Sequence, residues 1–211
     1  FLEKPLIDIW AYKLLGCLKE KFPDYEYTTR KYEFISTIDV DNAYAYKHKS
    51  LVRTFGGLIK DFFSLKLKTF WDRLVVNLNI RKDPYNTFKR ILALKKQYNV
   101  STVFFFLVAD YTTFDTNVSA AKNKFRLLIK TIADYAKVGL HPSYFSMKDE
   151  SLLKKEKERL EQITNMPMEK SRQHFLRFSL PETYQHLIDL EIKEEYSMGY
   201  ASHVGFRAST C

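Results

Sequence analysis

"STIDVDNAYAY", Ser36–Tyr46, ends an apolar run with two carboxylates one residue apart, and the fold turns on how that run is read. Tyr32 to Ile38 has the character of a buried strand, with Asp39 and Asp41 at its C-terminal end. In an extended chain, residues i and i+2 point to the same side, so the two carboxylates converge if the strand persists through Val40. Like charges held close need a metal, an Arg or a proton to share the site. The plain alternative is that Asp41 and Asn42 simply begin a turn. A calcium loop of the EF-hand type fails, because its sixth position needs Gly and, counted from Asp39, holds Tyr44. The Asp-x-Asp pair with which a nucleotide-sugar glycosyltransferase holds a divalent ion stays open.

Working outward, strand and helix patterns alternate. Before the pair, Pro5 followed by Leu6, Ile9, Trp10, Leu14 and Cys17 predicts a first helix. After it, Ser50 to Arg81 holds two helical pieces around Gly56 and Gly57. The turn "DPYNT", Asp83–Thr87, leads into a helix carrying Phe88, Ile91 and Leu92, followed by the strand "VFFFLVA", Val103–Ala109. Ala121, Phe125, Leu128, Ile129, Ile132 and Ala136 share the face of an amphipathic helix. Next come a short strand "VGLH", a charged outer helix from Glu150 to Ile163, and a strand with its loop in "SRQHFLRF", Ser171–Phe178. Ser179 and Glu182 around Pro181 read as a capping box for a helix to about Ile188, and "EYSMGY" is the last strand. Such alternation favours parallel βαβ units, hence an α/β protein, as a barrel or an open sheet. In both, chemistry gathers at strand C-terminal ends, where Asp39, Asp41, His141 and Arg172 fall. Zinc accepts mixed His and carboxylate shells, so His141 in "GLHPSY" is a candidate ligand and His174 in "SRQHF" a weaker one. His48, His186 and His203 read as surface or structural.

The chain of 211 residues suits one domain, and 45% hydrophobic content with 16% aromatic suffices for a core. A net charge of +9 attracts polyanions, but the basic residues look scattered, and Lys154, Lys155 and Lys157 are matched by Glu156, Glu158 and Glu161. The charge is read as solvated surface, with no nucleic-acid partner. Two cysteines, Cys17 and Cys211, imply no disulfide framework and a reducing compartment, with a cytoplasmic location expected. The longest wholly apolar run, Val103–Ala109, is far below the roughly 18 residues of a membrane span, so none is expected. Without an initiator Met or a signal-peptide pattern, the sequence is expected to be a piece of something longer.

Taken in order, "STIDVDNAY", "TVFFFLVADYT", "VGLHPSY", "SRQHFLRF" and "GYASHVGFRAST" resemble the motifs of the polysaccharide deacetylases, the NodB-homology carbohydrate esterases. The resemblance implies a distorted (β/α) barrel over residues 31–211, partial at its C-terminus, preceded by a helical accessory segment over residues 1–30. It implies a hydrolase that removes acetyl groups from a sugar or polysaccharide with a divalent metal, zinc foremost. Asp39 then matches the catalytic base acting on a water at the metal, and Arg172 the residue that orients that base. Asp41 and His141 match metal ligands. Tyr44, Tyr144 and Arg207 are candidates for lining the sugar groove. Two departures stand out. The family's second motif carries another His four residues after the first, where this chain has Phe145, so His174 or a water is expected to complete the shell. The family's last motif, which supplies a His as general acid, would lie beyond Cys211. A catalytically lapsed carbohydrate-binding or scaffold domain of the same fold is the alternative.

Overall fold

A computed structural model describes residues 2–28 and 30–210. Its sheet has five strands: β1 (Ile35–Val40), β2 (Ser101–Phe106), β3 (Lys137–Leu140), β4 (Lys170–Ser171) and β5 (Glu194–Glu195). They lie in chain order and every neighbouring pair is parallel. Sequential parallel strands joined by helical crossovers are the winding of a (β/α) barrel. Here five such strands form one parallel sheet, an incomplete (β/α) barrel. The helices are α1 (Leu6–Lys21), α2 (Leu51–Phe63), α3 (Leu67–Asn77), α4 (Phe88–Tyr98), α5 (Asn123–Ala133), α6 (Glu150–Thr164) and α7 (Glu182–Asp189).

β2 explains the layering. A parallel strand covered on both faces is apolar without alternation, and Val103 through Phe106 are all fully buried. Phe104 and Phe106 face the helices, with ring centroids 6.5 Å from Phe88 of α4 and 6.2 Å from Phe125 of α5. Phe125, Ile129 and Ile132 of α5 and Leu160 and Ile163 of α6 complete this core. Phe105 faces the other way, 5.2 Å from the Tyr196 ring. Opposite it, β3 needs Gly139. A Cβ there would lie 2.6 Å from the Phe105 ring and 2.9 Å from the Lys170 carbonyl oxygen.

Several boundaries differ from the sequence reading. β1 starts at Ile35 and runs on through Val40, while Tyr32 is exposed. β4 and β5 keep two residues each, and past Ser171 the backbone turns through Phe175 and Leu176 at positive φ (59° and 51°). The cap of α7 is not the Ser179–Glu182 box. Thr183 Oγ1 accepts the Ser179 N–H at 2.9 Å instead. The apolar stripe of α1 faces solvent at Trp10 and Leu14, and its buried residue is Asp8, which accepts from Thr210 Oγ1 at 2.7 Å. The helix is tied to the C-terminal stretch by the Ile7 N–H, which donates to the Ser209 carbonyl at 2.9 Å. Among the described residues no helix is long and apolar enough to cross a membrane. Cys17 is exposed and Cys211 lies outside the described residues.

Candidate metal centre

Asp39 sits on the last turn of the β1 pleat and Asp41 one residue past its end. Both line one cavity of about 590 Å³ together with His141, Arg172, Gln173, His174 and Tyr196. The turn alternative for Asp41 is not what its side chain does, since Asp41 Oδ1 lies 3.1 Å from His141 Nε2. That contact, more than any other, holds the Asp41 carboxyl below its usual range, against the opposing effect of its own burial.

Both histidines are buried and both are oriented from behind. His141, just past β3, points Nδ1 at the Arg172 carbonyl oxygen at 2.5 Å. His174, in a tight turn past β4, points Nδ1 at Asp115 Oδ1 at 2.9 Å. Asp115 is itself fixed, accepting the Thr112 hydroxyl at 2.8 Å and the Tyr144 N–H at 3.0 Å. Carbonyl and carboxylate partners accept, so they place each imidazole proton on Nδ1 and leave Nε2 as a lone pair. The two Nε2 atoms lie 3.1 Å and 4.0 Å from Asp41 Oδ1, and the three candidate ligand atoms all fall within 4.8 Å of one another. With both protons on Nδ1, three electron-rich atoms face one point, and the short Asp41–His141 contact then needs a cation, or a proton on His141 Nε2, between its ends. A carboxylate or carbonyl behind each ligating imidazole is the usual support of a metal site.

Beside this cluster, Arg172 is held on three sides. Its Nη1 reaches Asp39 Oδ1 at 3.1 Å, Nη2 donates to Thr37 Oγ1 at 2.8 Å, and Nε donates to the Tyr196 carbonyl at 3.1 Å. Its guanidinium also lies 5.1 Å over the Phe105 ring. The position of the Asp39 carboxylate is therefore set by a group that is itself rigid.

The structure does not bring Tyr44, Tyr144 or Arg207 to the cavity wall. Ala43 donates its N–H to Asn117 Oδ1 at 3.1 Å, and the loop so anchored turns Tyr44 into the core. Tyr144 stacks on Phe114 at 3.9 Å with the Arg177 guanidinium 3.8 Å over its other side. Arg207 lies 4.6 Å over Phe178 and reaches only the rim, at the Gly199 carbonyl, 3.4 Å away. Phe114, Phe175, Tyr196 and Tyr200 form the wall instead. Phe145 is 48% exposed and is not among the residues that line the cavity. Sequence reasoning missed Asp115. Its one signal was an acid three residues after Thr112, a local bonding pattern that reads as an ordinary loop turn.

No family model matches the chain and no curated protein is significantly similar to it. Solved structures of similar shape are CE4 family polysaccharide deacetylases and their relatives, at low identity. A candidate polysaccharide deacetylase from Mycobacterium smegmatis superposes with a TM-score of 0.49 at 15% identity, over 86% of this chain and 59% of that one. A CE4 family pseudoenzyme from Bacillus anthracis gives 0.46 at 16% identity, over 79% and 44%. IcaB from Ammonifex degensii gives 0.39 at 12% identity, over 77% and 83%. The chain spans about half the length of the first two.

Proposed function

We propose that the chain is a metal-dependent hydrolase that removes acetyl groups from a sugar or polysaccharide. The observation that carries this is the meeting of Asp41 Oδ1 with Nε2 of His141 and of His174, next to the Asp39–Arg172 ion pair, in one open cavity. The substrate class comes from the ordered sequence motifs. Asp41, His141 and His174 hold a divalent ion, and a shell of one carboxylate and two imidazoles with an open position suits catalytic zinc. When bound, such an ion lowers the pKa of water towards about 7 and polarises an acyl carbonyl. Asp39 takes the proton of the attacking water as general base. Arg172, pinned by Thr37 and Tyr196, keeps the Asp39 oxygen at a fixed place. Asp115 and the Arg172 carbonyl retain the Nδ1 protons of the two histidines. Phe114, Phe175 and Tyr200 offer flat apolar faces to sugar rings, the kind of wall that orients a saccharide.

The test is elemental analysis together with acetate release from an N-acetylated sugar polymer. The purified protein is expected to hold about one divalent ion, Asp41→Ala and His141→Ala to lose it, and Asp39→Asn to keep it with at least about 100-fold slower release. An Asp39→Asn protein as active as its parent would sink the proposal. Phe145, in the place of a family ligand, favours a second reading, a carbohydrate-binding domain without catalysis. Sugar binding with neither metal nor acetate release would select it.

A further inference from the structure

The α2–α3 hairpin wears its amphipathic pattern inside out. On α2 one arc holds Leu51, Val52, Phe55, Ile59, Phe62 and Phe63, and the other holds Arg53, Thr54, Gly57 and Asp61. The polar arc is the one turned to the protein. Asp61 is buried and accepts from Arg73 Nε at 2.8 Å, while Arg53 donates to the Thr116 and Asn117 carbonyls at 2.7 Å and 3.1 Å. The apolar arc faces water, with Val52 83% and Phe63 79% exposed. Leu65 at the apex is 82% exposed, and Leu67 and Trp71 continue the surface onto α3. A contiguous apolar surface of this kind marks an interaction site.

Charge selects the partner. From Lys47 to Lys82 the chain has nine basic residues against Asp61 and Asp72, so this stretch carries +7 of the protein's +9, and the net charge is concentrated here, contrary to the scattered reading of the sequence. Both of those carboxylates are ion-paired within the stretch, to Arg73 and Arg81. Lys60, Lys66, Lys68 and Lys82 are exposed, and no carboxylate pairs with them among the described residues. A second copy of the chain would set the same positive field against itself. A helix with an apolar arc rich in Phe and Leu and with lysines at its flanks fits the boundary of an anionic bilayer. The apex, Phe62, Phe63, Leu65 and Leu67 between Lys60 and Lys68, needs no preformed pocket to enter one. We propose that the α2–α3 hairpin docks this protein on an anionic lipid membrane, its apolar arc at the headgroup boundary and its lysines on the phosphates. This holds whatever chemistry the cavity performs.

The full chain is tested by sedimentation with phosphatidylcholine vesicles, with and without phosphatidylglycerol. Binding is expected only to the anionic vesicles and is expected to weaken as salt rises. Trp10 and Trp71 are the two tryptophans, so in a Trp10→Phe background Trp71 reports alone, with a blue shift on binding. Each lysine at such a surface contributes about a factor of five, so combined Lys60→Glu, Lys66→Glu and Lys68→Glu is expected to weaken binding at least about 100-fold. Combined Phe63→Ser and Leu65→Ser, at exposed positions that leave the circular dichroism spectrum intact, is expected to abolish the Trp71 shift. Failure to sediment with anionic vesicles, or binding that neither variant alters, overturns the proposal. So does a dimer in the ultracentrifuge that the Phe63→Ser, Leu65→Ser protein loses, since the face would then join copies of the chain.

Discussion

At the scale of single residues, two buried acids behave oppositely. Asp115 lies behind His174 and has three donors to satisfy. Asp115→Asn keeps the shape but replaces a group that can only accept by an amide that can also turn its N–H to His174, which frees the imidazole to choose its other tautomer. Loss of such a supporting group costs a metal site about 10- to 100-fold in affinity. Titration with zinc should show that loss in Asp115→Asn, and an unchanged affinity would separate Asp115 from the centre. Glu156 of α6 has a weaker set of partners. Its Oε2 accepts the Ser143 N–H at 2.9 Å, but its Oε1 has none, and burial pushes the carboxyl up to about 7. A carboxyl raised from 4.5 to about 7 takes up a proton on folding between those values. Its contribution to stability is thus full below about pH 4.5 and is lost as pH rises through about 7, on the order of 3 kcal/mol in all. Urea midpoints measured from pH 5 to 8 should fall for the parent and fall less for Glu156→Gln, which has no proton to lose.

At the scale of elements, legibility followed burial. β2 and α5 could be read because one is apolar throughout and the other is apolar at helical spacing, and both patterns are imposed by the same core. Asp39, Asp41 and His141 were readable because parallel strands deliver their C-terminal ends to one side. His174 and Asp115 arrive on irregular loops, where no period announces a direction. Tyr44, Tyr144 and Arg207 lay next to motifs, yet a neighbour in sequence is turned to core or cavity by the local backbone. α1 and α2 defeated the usual inference, since their apolar stripes face water and polar residues face inward. β3 packs closely on β2 and β4 at Gly139. A methyl there meets the Lys170 backbone as well as the Phe105 ring, and only the ring can move. Gly139→Ala is expected to cost about 1–3 kcal/mol in urea unfolding. Because Phe105 lies under Arg172, the same substitution should also slow the proposed hydrolysis more than it weakens the proposed metal binding.

At the scale of the whole molecule, five strands leave the barrel open, and what holds the strand ends together must come from elsewhere. Asn117 is one answer. Its amide donates to the Val40 and Leu107 carbonyls at 3.1 Å and 2.9 Å, and its oxygen accepts from the N–H groups of Ala43 and Val118, at 3.1 Å and 2.7 Å, so a single side chain staples β1 to the chain leaving β2. The cluster of Asp41, His141 and His174 is the other, because its three side chains come from the ends of β1, β3 and β4. A cation gripped there favours the folded state by mass action, about 2.7 kcal/mol when free metal is a hundred times its dissociation constant. In a domain of this size each kcal/mol moves the melting temperature by roughly 2–4 °C. Saturating zinc should therefore raise the melting temperature by about 5–10 °C, and a chelator should reverse the gain. His141→Ala, which removes the central strand's ligand, should show no response to zinc. A parent protein whose melting is indifferent to every divalent ion tried would mean that a hydrogen bond between His141 Nε2 and Asp41 Oδ1, and no metal ion, closes this cluster.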